Sequence, residues 1–257
     1  MKAAELMNQI YGSTPVWEVT CDTRKWGNPD RELRKVAVTC LATAEVITSV
    51  KAWGADLLIT HEPTFFDHWD QSEAEDPVTM KKRALLEDTD MAVYRYHDGI
   101  HLAVPDGISE GELEAIGLKG TYGERRSLGV NEFFLETPMS AGELKELLEE
   151  KLGLRHIRLC GNSTAPCTKL ALGFGSPGEA LFKALKDPET EIAICGEACE
   201  WREGEYARDA AFFGEKKALL ILGHMGSERD GMKYLAKKLG ETFGEFETRY
   251  FECGEVY

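Results

Sequence analysis

The sequence lacks a hydrophobic run long enough to cross a bilayer. Apolar stretches such as residues 218–222 span five residues, whereas a membrane-spanning helix needs about 20. The first seven residues also lack the apolar core of a signal peptide. We therefore expect a cytoplasmic protein with no membrane partner.

The chain has neither a disulfide framework nor an excess of basic charge. Its seven cysteines are odd in number and irregularly spaced, which favours reduced thiols over the paired cysteines of small secreted domains. Its net charge is −15. Because binding through nucleic-acid phosphates needs a basic face, this charge argues against a nucleic-acid partner.

The hydrophobic pattern is that of an α/β protein. Residues 35–40 predict a strand, and the helix after it buries Val46, Ile47 and Val50 on one face and ends at Gly54. Residues 56–60 and 91–96 predict two further strands.

The second half repeats the same pattern. Ser140 and Glu143 predict a capping box at the start of a helix that ends at Gly153. The helix after the last predicted strand is expected to start near Ser227, which with Asp230 resembles a capping pair. Further strands are predicted at residues 155–160, 169–174, 191–195 and 218–222. We expect lobes of residues 1–125 plus 215–257, and 126–214.

Four of the six histidines fall at or just after predicted strand ends: His61, His97, His101 and His224. A single histidine is more often a hydrogen-bonded or exposed residue than a ligand. In open α/β sheets, however, ligands bind at the carboxyl ends of the strands. The shared placement therefore favours a binding site.

Two of these histidines have a nearby carboxylate. Glu62 follows His61 directly, and Glu228 lies four residues after His224. Imidazole and carboxylate together suit Zn, Fe, Mn, Co or Ni better than calcium. The spacing does not choose among these metals.

Three motifs carry a family resemblance. Residues 57–63 resemble a strand-His-His-Pro motif, residues 97–101 a His-Thr-Asn-x-Asp motif and residues 223–228 a Gly-His-x-x-x-Glu motif. All three are typical of the NGG-interacting-factor-three-like family, whose members are also called GTP cyclohydrolase I type 2 homologues. The resemblance extends over nearly the whole chain, which we interpret as a single family domain of residues 1–257.

The resemblance implies a two-lobed, mixed-sheet α/β fold with a metal site in the cleft between the lobes. It also implies a ring-like homohexamer that holds two divalent metal ions and acts on a small-molecule substrate. Carried over position by position, the metal ligands are His61, Glu62, His101, His224 and Glu228. No other cofactor is implied.

Two ligands depart from the family pattern. Glu62 stands where the family has His, and His101 stands where it has Asp. We interpret this as a compensating exchange, since the set still contains three imidazoles and two carboxylates. The alternatives are a degenerate site with one metal or none, or Asp98 in the role of His101. His97 is expected beside the ligands or as a proton shuttle, with a core hydrogen bond as the alternative.

Three functions are consistent with this sequence. The first is a metal-dependent hydrolase acting on a nucleotide, another phosphoester or a cyclic amidine. The second is a non-catalytic metal-binding or metal-handling ring protein. The third is a nucleotide-binding regulator that uses the G-x-G-x-x-G at residues 173–178, although Pro177 fits that motif poorly.

Overall fold

The computed structural model describes residues 1–15, 17–70, 76–87, 89–127 and 129–255. The helices are α1 Ala3–Gly12, α2 Ala44–Trp53, α3 Pro77–Glu87, α4 Asp98–Leu102, α5 Gly107–Ile116, α6 Ala141–Leu152, α7 Glu179–Lys186, α8 Glu205–Phe212 and α9 Arg229–Thr242. The strands are β1 Arg24–Trp26, β2 Lys35–Thr39, β3 Leu57–Thr60, β4 Ala92–Arg95, β5 Gly120–Ser127, β6 Val130–Met139, β7 Arg158–Gly161, β8 Cys167–Gly173, β9 Ile192–Cys195, β10 Ala218–Ile221 and β11 Glu247–Tyr250.

The chain divides into two units, each with its own sheet. The first unit is Met1–Gly107 with Gly231–Gly254, and the second is Ile108–Asp230 with Glu255–Tyr257. The first sheet has the order β1-β4-β3-β2-β11, and the second has the order β5-β6-β8-β9-β10-β7. Both sheets mix parallel and antiparallel pairs, as expected for a mixed α/β fold.

In the first sheet, β4, β3, β2 and β11 are parallel and β1 is antiparallel to β4. Strands β3 and β4 are buried along their whole length, which explains their continuous apolar pattern. Because their carboxyl ends lie at one edge, the residues that follow β3 and β4 are neighbours in space.

Helix α2 forms where the sequence predicts it. The Thr43 side chain accepts a hydrogen bond from the backbone of Val46, and Gly54 ends the helix with a φ of 80°. Val46, Ile47 and Val50 are buried in the core of this unit. The capping residue, the terminal glycine and the buried apolar face of α2 therefore all form as the sequence predicts.

The division between the units differs from the one expected from sequence. Residues 215–257 were expected with the first lobe, but β10 pairs with β9 and β7 in the second sheet. Leu219 and Ile221 pack in the core of the second unit with Ala193. The chain returns to the first unit only at Gly231. The physical reason is the pairing of β10, which the apolar pattern of a strand does not specify.

The predicted capping pair Ser227 and Asp230 is wrong. Residues Met225–Ser227 form a 3₁₀ turn, and α9 begins at Arg229. The Ser227 hydroxyl donates to the His224 carbonyl at 2.8 Å and accepts from the Gly175 backbone N–H at 2.9 Å. The hydroxyl that was predicted to cap the helix therefore bonds instead to a carbonyl three residues before it and to a backbone N–H 52 residues away.

Two further findings concern thiols and membranes. The seven cysteines are all free thiols. Among the helices that the structure describes, none has the length and hydropathy that a bilayer crossing requires.

The capping box on α6 gives a first test of local stability. The Ser140 hydroxyl accepts from the Glu143 N–H at 3.2 Å, and Glu143 Oε2 accepts from the Ser140 N–H at 2.8 Å. We expect Ser140→Ala to lower the free energy of unfolding by about 1 kcal/mol, measured by urea denaturation. Ser49→Ala, on the exposed face of α2, is the control and should change stability by less than about 0.5 kcal/mol. Equal losses would contradict a specific cap.

Candidate metal centre

Three histidines form a compact group in the first unit. His61, His97 and His101 each offer a ring nitrogen, and these atoms lie within 4.8 Å of one another. The His61 ring stacks on the His97 ring with centroids 4.7 Å apart, and the centroid of His101 lies 5.1 Å from each. His61 and His101 are buried. The strand-end placement inferred from sequence thus brings these imidazoles together.

A buried carboxylate positions the short helix that carries His101. Asp22 Oδ1 accepts from the backbone N–H groups of His97 at 2.6 Å and Asp98 at 3.0 Å, and its Oδ2 accepts from Gly99 at 2.7 Å. These are amide groups that the start of a helix leaves without an intrahelical partner. Sequence analysis missed Asp22, because its contacts lie more than 70 residues away.

His61 and His101 are oriented in the same way. His61 Nδ1 lies 3.1 Å from the Tyr96 carbonyl oxygen, and His101 Nδ1 lies 3.0 Å from Asp106 Oδ2. A carbonyl or an ionised carboxylate only accepts, so Nδ1 carries the proton in both rings. Nε2 is then the nitrogen that can bind a metal ion, which is the usual arrangement of metal-binding histidines.

Asp98 supports His97 and does not join the three-histidine group. Asp98 Oδ1 accepts from His97 Nδ1 at 2.9 Å, while Oδ2 accepts from the Thr20 hydroxyl at 2.7 Å and the Cys21 N–H at 3.1 Å. Burial raises the pKa of the Asp98 carboxyl, but these hydrogen bonds outweigh burial and hold that pKa well below its usual range. The three-histidine group therefore contains the His101 ring and not the Asp98 carboxylate, which belongs to a second possible metal-holding group with Cys21 and His97.

The His97 ring is uncharged at neutral pH. Burial lowers the pKa of His97 to about 4, the hydrogen bond to Asp98 opposes that change, and the nearby His61 and His101 lower it further. A neutral ring suits a metal ligand or a hydrogen-bond partner. The proton-shuttle role stays a prediction, but His97 lies among the candidate ligands themselves.

Glu62 is held beside the histidines by a buried arginine. Its Oε1 lies 3.9 Å from His61 Nε2 and 3.8 Å from His97 Nε2. The fully buried Arg95 places a guanidinium nitrogen 3.7 Å from Glu62 Oε2. Its other nitrogens donate to the carbonyl of His61, at 2.8 Å, and to that of His68. Sequence analysis missed Arg95, whose signal was one cation inside the apolar run 91–96.

The second unit carries a smaller group of donors. His224 Nδ1 lies 2.7 Å from Glu197 Oε1, and His224 Nε2 lies 3.3 Å from Glu228 Oε2. Glu197 and His224 follow the parallel neighbours β9 and β10, so both lie at one edge of the second sheet. His224 thus repeats the orientation of His61 and His101, with an oxygen on Nδ1. Sequence analysis did not place Glu197 beside His224.

The glycine-rich turn at residues 173–178 packs against this group. Gly175 has a φ of +70°, and a Cβ there would lie 2.0 Å from Glu228 Oε1. Its carbonyl also accepts from the Glu197 N–H at 2.8 Å. Only glycine allows this approach. The close packing of this turn on Glu228 is therefore enough to explain why residue 175 is glycine, and nucleotide binding is not needed to explain it.

A pocket opens beside His224 in the second unit. Its volume is about 250 Å³, and its walls include His156, Arg158, Glu197 and Met225. Its lining mixes charged and apolar side chains, as small-molecule sites commonly do.

The five ligands expected from the resemblance are divided between the units. His61, Glu62 and His101 belong to the first unit, and His224 and Glu228 belong to the second. Within each unit the expected residues lie close together. The imidazole and carboxylate donors in each group fit a divalent transition metal.

Comparisons with known proteins agree with this fold. A GTP cyclohydrolase 1 type 2 homolog from Clostridium perfringens is 24% identical over 221 residues, which cover 84% of this chain and 81% of that protein. The solved structure of a protein of unknown function, ybgI, has a TM-score of 0.83 at 18% identity and covers 100% of both chains. A Bacillus cereus protein related to NIF3 has a TM-score of 0.76 at 13% identity, covering 99% and 98%.

These structural matches show the fold alone, because their identities are low. The family follows from the sequence match, since the model of one family aligns with residues 23–253. The chain belongs to the DUF34/NIF3 (NGG1p interacting factor 3) family.

Proposed function

We propose that this protein binds two divalent metal ions per chain through His61, Glu62, His101, His224 and Glu228, and that it is a metal-dependent hydrolase. The observation that carries the proposal is the common orientation of the imidazoles. His61, His101 and His224 each have Nδ1 within hydrogen-bond distance of an oxygen. Such partners fix the ring and direct Nε2 to a metal.

The donor set narrows the choice of metal. Imidazole nitrogen with carboxylate oxygen suits Zn, Fe, Mn, Co or Ni. The exchange at Glu62 and His101 leaves the number of imidazoles and carboxylates as in the family. Neutral His97, within 4.8 Å of the other ring nitrogens, is an additional donor.

The chemistry proposed is hydrolysis by water. When bound, divalent ions polarise a substrate oxygen and make water a nucleophile at neutral pH. Arg95 holds Glu62 in place, Glu197 fixes the His224 ring, and the pocket beside His224 has room for a small molecule. The name of the Clostridium perfringens relative suggests a nucleotide, another phosphoester or a cyclic amidine as substrate. A homohexamer is proposed from the family resemblance.

Metal content tests the ligand assignment. We expect two ions per chain in the purified wild-type protein by elemental analysis, and a loss of about one or more in Glu62→Ala, His101→Ala and His224→Ala, because each removes a ligand. His156→Ala, which removes an exposed histidine from the pocket wall, is the control and should keep both ions. If Glu62→Ala and His101→Ala both keep two ions, the assignment is wrong.

Activity separates the hydrolase from the metal-handling alternative. The metal-loaded protein is assayed on GTP, simple phosphoesters and cyclic amidines, with His224→Ala as the inactive reference. Hydrolysis by the wild type alone supports the enzyme. Stoichiometric metal without hydrolysis of any substrate supports a non-catalytic metal-binding protein.

A further inference from the structure

A second cavity lies in the first unit, between the start of α2 and one face of α3. Its volume is about 380 Å³. Val78, Lys81, Lys82 and Leu85 line it from α3, at spacings that place them on one helix face. Leu41 and other residues before and at the start of α2 form the facing wall. The lining is mainly apolar, with the two lysines as its charged members.

Lys82 is an unusual lining residue because it is almost completely buried. It is 3% exposed, and its Nζ lies 4.6 Å from the centroid of the Phe66 ring. Burial lowers the pKa of Lys82 to about 8, against the opposing charge of Asp70. The side chain is therefore still mainly an ammonium at pH 7.

The carboxylate of Asp70 is engaged elsewhere. Asp70 Oδ1 accepts from the Phe65 N–H at 2.7 Å, and Oδ2 lies 3.6 Å from Lys25 Nζ. Within the part of the chain that the structure describes, no carboxylate forms an ion pair with Lys82. An ammonium that is largely removed from water and forms no ion pair is costly, so this wall of the cavity favours an anion.

Phe66 covers this ammonium at the cost of local strain. Its φ is 64°, a conformation that a bulky residue adopts rarely and unfavourably. The side chain is 68% exposed, although it is a large apolar group. Strain and exposure at one residue are typical of functional positions.

We propose that this cavity binds an apolar molecule that carries a single anionic group. The anion pairs with Lys82, and the apolar body packs against Leu41, Val78, Leu85 and Phe66. The net charge of −15 disfavours anions over the protein as a whole, so binding depends on this local cation. The inference is independent of the proposed metal chemistry.

Octanoate is the probe for this site. It is titrated calorimetrically into chelator-treated full-length protein at pH 7, so that its carboxylate has no metal to bind. We expect saturable binding that is about tenfold or more tighter than that of 1-octanol, because only octanoate supplies the counter-ion. Acetate, which lacks the apolar body, should bind too weakly to compete with octanoate.

Three variants locate the binding. Lys82→Met should remove the preference for octanoate over 1-octanol while keeping the fold, since it replaces a buried charge with an apolar side chain of similar length. Lys81→Met, which removes the exposed neighbouring charge, should weaken the binding of octanoate by less than about threefold. Ala44→Trp, which fills the cavity from an exposed position, should abolish the binding of both probes. Far-UV circular dichroism checks that each variant is folded.

Two results overturn the proposal. One is the absence of octanoate binding to the wild-type protein, and the other is a preference for octanoate that survives Lys82→Met. Neither result bears on the metal site, because metal content is measured separately on protein that has not been treated with chelator.

Discussion

Replacing Arg95 by methionine is expected to lower the free energy of unfolding by about 3–5 kcal/mol and to reduce the bound metal. The guanidinium is fully buried and donates to the carbonyls of His61 and His68. Methionine fills much of the volume but leaves both carbonyls without that donor. It also removes the cation beside Glu62, so the loop carrying two candidate ligands loses its support.

Chemical denaturation and elemental analysis measure the two effects. Arg24→Met is the matched control, because Arg24 is an exposed arginine on the strand adjacent to β4. It should change stability by less than about 0.5 kcal/mol and leave the metal content unaltered. If Arg95→Met keeps wild-type metal content despite the loss of stability, Arg95 does not position the ligands.

Gly175→Ala should be the second most damaging change, with a loss of about 2–4 kcal/mol. A φ of +70° is unfavourable for alanine, and the new methyl group would lie 2.0 Å from Glu228 Oε1. Because Glu228 is buried, the overlap can be relieved only by shifting the carboxylate or the turn. We therefore expect this variant to lose metal as well as stability.

Gly178→Ala separates the two causes. Gly178 also has a positive φ, +56°, but no atom lies within 4 Å of its added Cβ. It should lose only the backbone contribution, about 1–3 kcal/mol for a φ of 56° with a ψ of −128°, and keep its metal. Equal losses of stability and metal in both variants would show that contact with Glu228 is unimportant.

The elements that sequence analysis predicted are those defined by local signals. Helix α2 has a capping residue, an apolar face and a terminal glycine within twelve residues, Thr43 to Gly54. Strand β11 was not predicted, because its residues alternate between exposed and half-buried positions at the edge of the sheet. Its pairing with β2, more than 200 residues away in sequence, determines that it is a strand.

The candidate site shows the same difference between residues that local signals predict and residues whose contacts are distant in sequence. His61, His97, His101 and His224 could be found because each follows a strand that the apolar pattern predicts. Their supporting groups could not. Asp22 and Arg95 act through backbone atoms of residues 27 to 77 positions away, and no local pattern predicts such contacts.

The arrangement of the two units along the chain has a consequence for synthesis. The second unit is almost entirely the continuous stretch Ile108–Asp230, whereas the first resumes at Gly231. Chains emerge from the ribosome N-terminus first, and units fold as their residues become available. The inserted unit can complete its sheet while the edge of β2 is still open. The sheet that carries His61 and Glu62 is complete only when β11 has been made, so the inserted unit can reach its native sheet first.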